Sequence, residues 1–78
     1  MLGVRPTYRT LRVLAVIAER PGASNREIAA AAGISDEGQI SRLLRRLESR
    51  GWVQNTGEGQ AKGKSNAWSL TVAGRQIR

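Results

Sequence analysis

The sequence predicts a small α+β domain, mostly α, with three helices followed by a two-stranded β-hairpin. Three observations carry this. Between Tyr8 and Leu47 the apolar residues recur at helical spacing. Pro21-Gly22 and Gly33 interrupt that run, and both are helix stops. After Gly51 the period changes. Two short alternating segments then flank Gly57 to Lys64, which holds three glycines and two lysines in eight residues.

Each element follows from local chemistry. Residues 1–6 have no periodicity, and Gly3 and Pro6 predict a flexible N-terminus. Thr7 to Arg20 reads as the first helix, capped by Thr7. Its expected buried stripe is Tyr8, Leu11, Leu14 or Ala15, and Ala18, widened by Ile17; Arg9 and Arg12 lie off it. Ser24 to Ala32 is the second helix. Ser24-Asn25-Arg26-Glu27 is a capping box, in which the Ser24 hydroxyl and the Glu27 carboxylate each accept from the other's backbone N–H. The cap accounts for Glu27 better than a chemical role does. Gly33 can take the positive φ that ends the helix.

The third helix has two competing caps, Ser35 and Asp36. Asp36 is preferred, because Asp36 with Gln39 makes a complete box and leaves Gly38 in the first turn. Ile34 is then expected to plug the core beneath the turn. The helix runs to Arg50, with Gly51 after it. Trp52 to Asn55 and Ala67 to Leu70 read as strands, the second with Trp68 and Leu70 on one face. Residues 57–64 read as a mobile tip. Thr71 can cap a last short segment through Ile77, which Gly74 is expected to weaken. The 78 residues suffice for one domain.

Composition narrows the function. There is no Cys and no His, which closes most zinc and acid–base sites. No catalytic residue, metal or cofactor is expected. No apolar run approaches the ~20 residues of a membrane span, and no secretory signal is visible, so the expected compartment is the cytoplasm. Thirteen Lys and Arg against six Asp and Glu give a net charge of +7. The sequence pI is near 11.6. Eleven of the thirteen cations are Arg, which suits bidentate bonding to phosphate and guanine. Such a charge gathered on one helix face is the footprint of a nucleic-acid binder.

That face lies in the stretch Ile28 to Leu47. Ile40, Leu43, Leu44 and Leu47 fall on one stripe, and Ser41, Arg42, Arg45 and Ser49 fall opposite. A short helix, a glycine turn and a helix with a basic outer face read as a helix-turn-helix whose second helix enters the major groove. Arg42 and Arg45 are the first candidates to read bases, followed by Gln39 and Ser41 near the helix start. Arg46 sits at the edge, as a phosphate contact or a solvated charge. Lys62 and Lys64 are placed along phosphates or the minor-groove edge. Trp52 and Trp68 are read as core rather than base platforms, since the chain has no Phe. Gly57-Glu58-Gly59 lacks the ending of a phosphate loop.

The ordered pieces Glu27-Ile28-Ala29, Gly33-Ile34-Ser35, Ile40-Ser41-Arg42-Leu43, Arg46-Leu47-Glu48, Gly51-Trp52-Val53 and Leu70-Thr71-Val72-Ala73-Gly74 span residues 24 to 74. In this order they resemble a winged helix-turn-helix, and more narrowly the DNA-binding core of MarR-type bacterial transcriptional regulators. The resemblance implies a three-helix winged helix-turn-helix with a two-stranded hairpin wing, double-stranded DNA as partner, and a role in transcriptional regulation. Ile40 comes seven residues after Gly33, one more than is usual in the family, in accord with Asp36 as cap. Lys62-Gly63-Lys64 stands where the family's wing often carries Asp-x-Arg. The family's long dimerising helices have no counterpart here, which leaves a monomer, a homodimer formed otherwise, or a domain of a longer protein. The rival reading is a winged helix that docks a protein partner, which an exposed apolar patch beside the third helix would favour.

Overall fold

A computed structural model describes residues 7–57 and 66–77. The order of elements is α1 (Tyr8–Glu19), α2 (Asn25–Ala32), α3 (Glu37–Ser49), β1 (Val53–Asn55), β2 (Trp68–Leu70) and α4 (Val72–Arg75). Three long helices and a two-stranded antiparallel sheet form the expected mostly helical α+β domain, with α4 as a single added turn. The expectations for residues 1–6 and for the tip, apart from Gly57, lie outside the described residues.

The helices begin where side chains satisfy their first N–H groups. Thr7 Oγ1 accepts from the Thr10 backbone at 3.1 Å. Ser24 and Glu27 close the capping box, at 3.2 Å to the Ser24 hydroxyl and 2.8 Å to the Glu27 carboxylate. The bond from the Ser24 backbone N–H, followed by that from its hydroxyl, holds the Glu27 carboxyl below its ordinary pKa. Asp36 caps α3, accepting from Gly38 N at 2.8 Å and Gln39 N at 3.4 Å. The expected reciprocal arm differs: Gln39 Oε1 turns instead to Arg9 Nη1, at 3.2 Å. Gly33 and Gly51 adopt φ of 74° and 78° and end α2 and α3. In both cases the next residue bonds back to the last turn, Ile34 N to Ala29 O at 2.8 Å and Trp52 N to Leu47 O at 3.0 Å.

Val13, Leu14, Ile17, Ile28, Ile40, Leu44, Leu47 and Val53 are fully buried and meet beneath the turn, which Ile34 plugs as expected. Each contributes about 1.5–3 kcal/mol of burial. The buried face of α1 differs from the expected one. The buried stripe of α1 is Thr10, Val13, Leu14 and Ile17, whereas Tyr8, Leu11, Ala15 and Ala18 are exposed. Two interleaved stripes were available, and the one with the β-branched pair Val13 and Ile17 faces α2. Tyr8 instead lies against Arg12, whose guanidinium is 5.8 Å from the ring centre.

In the sheet, Val53 pairs with Leu70, Gln54 with Ser69 and Asn55 with Trp68. Trp68 and Leu70 point into the core, as the alternation predicts. Trp68 also bridges the α1–α2 turn: its N–H donates to Ala23 O at 3.0 Å, and its carbonyl accepts from Gly22 N at 2.8 Å. The sheet root is thus anchored on both sides. Thr71 caps α4, accepting from Gly74 N at 3.0 Å. Gly74 does more than weaken this turn. A Cβ built there would lie 1.9 Å from the Trp52 carbonyl oxygen, so the close approach of α4 to the α3–β1 turn requires glycine.

Candidate nucleic-acid interface

The outer surface of α3 divides into a crest and two flanks. With Ile40, Leu44 and Leu47 buried, helical geometry places Arg42 and Arg45 on the opposite crest, and both are exposed. Arg42 reaches back over the first turn, where its Nη1 lies 3.5 Å from the position of a Cβ on Gly38.

The flank facing α1 is basic. A groove of about 820 Å³ runs between the start of α1 and α3, lined by Tyr8, Arg9, Gln39, Arg42, Arg46 and Arg50 among others. Gln39 and Arg46 lie here, and the Arg9–Gln39 hydrogen bond crosses the groove. Arg50 lies over Trp52, with its guanidinium carbon 5.3 Å from the ring centre.

The flank facing the sheet is a polar recess lined by Ser41, Arg45 and Glu48 of α3 with Asn25, Asn55, Asn66 and Trp68. Asn25 organises it. Its Oδ1 accepts from Trp68 Nε1 at 2.6 Å and from Asn66 Nδ2 at 3.3 Å. Its Nδ2 donates to Ser41 Oγ at 3.1 Å. Asn55 Nδ2 donates to Asn66 Oδ1 at 2.9 Å, and Asn55 Oδ1 accepts from Ala67 N at 3.1 Å and Gly57 N at 3.2 Å. The chain of bonds ties α2, α3 and the roots of both strands together. Ser41 is half-buried within it.

The candidate residues therefore separate. Gln39, Arg42 and Arg46 share the groove with α1, while Ser41 and Arg45 line the recess. Lys62 and Lys64 lie outside the described residues. Sequence reading missed Arg9, Arg50 and Asn25. Arg9 and Asn25 meet partners 30 and 43 residues away, and no local signal marks such pairings. Among the described residues no group of acidic, His or Cys side chains could hold a metal. No described helix is long and apolar enough to cross a membrane.

Known structures share this arrangement. The PcaV transcriptional regulator from Streptomyces coelicolor, solved with its natural ligand, is similar at 25% identity and a TM-score of 0.81, over 99% of this chain and 53% of that one. The transcriptional repressor CouR, bound to a 23-mer DNA duplex, matches at 30% identity and a TM-score of 0.78, over 91% and 49%. MarR matches at 28% identity and a TM-score of 0.74, over 91% and 50%. The chain thus spans about half the length of these regulators. A search of curated protein sequences finds no match. The model of the IclR helix-turn-helix domain matches residues 7–57, which include α1, α2, α3 and β1. The chain is a winged helix-turn-helix DNA-binding domain and belongs to the IclR helix-turn-helix domain family.

Proposed function

We propose that the chain binds double-stranded DNA sequence-specifically in transcriptional regulation, with α3 in the major groove. The observation that carries this is the α3 crest: two exposed arginines on a rigid helix, opposite a fully buried stripe. Held there, Arg42 and Arg45 can each present two donors to guanine O6 and N7. The CouR complex with duplex DNA supports the choice of partner. Arg46 meets phosphate. Lys62 and Lys64, from their place in the sequence between the strands, also meet phosphate and carry no base identity. Ser41, which accepts from Asn25 Nδ2, ties α3 to α2 beside the root of the wing. The protein acts in the cytoplasm as a binding module, and no step of catalysis is assigned to it. The rival protein-docking reading is weaker, because the groove beside α3 is lined by four arginines and Tyr8 is flanked by Arg12.

Selection of duplexes from a random pool with the purified chain tests this reading. Enrichment of a defined site is expected, and a site with twofold symmetry would indicate pairing of two copies. Recovery of unrelated sequences at the pool's own frequencies would overturn sequence-specific binding.

A further inference from the structure

The two flanks of α3 differ in charge. On the sheet side Arg45 shares its recess with Glu48 and with neutral amides. On the α1 side the lining residues include Arg9, Arg42, Arg46 and Arg50 and no carboxylate. Arg42 belongs to the crest. The other three lie on the flank, and their charge is uncompensated: among the described residues the ion pair present is Arg26–Glu37, at 3.8 Å. Two of the three are nevertheless oriented, and by neutral groups. Gln39 Oε1 holds Arg9, and the Trp52 ring lies beside Arg50. A guanidinium held by a neutral partner keeps both its charge and its remaining donors for an anion.

A helix seated in the major groove has a phosphate strand along each side. We propose that Arg9, Arg46 and Arg50 form the track for one of those strands, on the α1 flank of α3, and that Gln39 positions Arg9 rather than reading a base. The inference rests on α3 entering the major groove, and it adds a grip from α1 that acts independently of the hairpin. Charge complementarity selects the occupant. Three exposed cations spread over two helices fit a strand of regularly spaced phosphates. The neutral anchors explain why the track stays open in the free protein.

The test is a salt titration of the 78-residue chain on two duplexes, one enriched by selection and one of unrelated sequence. Arg9→Gln, Arg46→Gln and Arg50→Gln should each weaken binding to both duplexes alike and lower the slope of log affinity against log salt by about one unit. Arg46→Lys keeps the charge and should keep the slope. Gln39→Ala should leave base preference unchanged. Circular dichroism checks that each variant is folded. Wild-type binding with slopes unchanged in all three Gln variants would overturn the track while leaving DNA binding intact. Relaxed preference at one base pair in Gln39→Ala would overturn the positioning role. Failure of the wild type to bind either duplex would overturn both the track and the function on which it rests.

Discussion

Replacing Asn25 by alanine tests the network that joins the recognition helix to the wing. Its side chain serves three donors and acceptors, but these do not count equally. Trp68 is 3% exposed, so its Nε1–H loses its protein acceptor and is left poorly solvated when Asn25 Oδ1 is removed. An unsatisfied buried donor costs about 1–3 kcal/mol. Asn66 and Ser41 are half-buried and can recover much of their loss from solvent. Asn25→Ala should therefore cost roughly 2–3 kcal/mol, nearly all of it through Trp68. Trp68→Phe removes the donor itself and leaves a smaller ring in the core, with its own packing cost. In that background Asn25→Ala should cost far less, because no indole N–H is left to strand. Urea unfolding of the four proteins, followed by circular dichroism, gives the coupling. A value of at least about 1 kcal/mol is expected. Additivity within about 0.5 kcal/mol would show that the 2.6 Å contact does not carry the network.

Three further outcomes follow from the packing. Gly74→Ala replaces a poor helix former by the best, a gain of about 1 kcal/mol on propensity alone. Here the new Cβ meets a backbone carbonyl at 1.9 Å, so thermal unfolding should instead show a loss of about 1–3 kcal/mol or more. Asp36→Ala should cost ~1 kcal/mol by the same measurement, since two N–H groups lose their acceptor. Glu27 has its folded pKa lowered by bonds from Ser24, so its contribution is present above the unfolded pKa and is lost as pH falls through the folded one. The stability difference between wild type and Glu27→Ala should thus be seen at neutral pH and shrink in acid, and a difference that grows in acid would contradict this.

What the sequence revealed and what it hid divide by range. Caps and helix stops are local chemistry, and Thr7, Ser24, Asp36, Thr71, Gly33 and Gly51 all act as their neighbours in sequence require. The α3 crest was legible because the stripe Ile40, Leu44 and Leu47 admits one buried face. On α1 two stripes competed, and only packing against α2 decides for Val13 and Ile17. Gly74 looked like a weak point because its reason, the Trp52 carbonyl, is a tertiary contact. Gln39 and Ser41 carry the right chemistry for reading bases, and Arg9 and Asn25 also engage them across the fold. Nothing in the local pattern around those residues announces such partners.

Base reading by the α3 crest separates from sequence-independent grip in one set of titrations. Arg42→Ala and Arg45→Ala are titrated against a selected site and an unrelated duplex, with base preference measured at each position. If α3 reads the major groove, each substitution should cost roughly 1–3 kcal/mol on the selected site, relax preference at one position, and affect the unrelated duplex much less. Equal losses on both duplexes, with base preference unchanged, would show that these arginines only grip phosphate and would contradict the account.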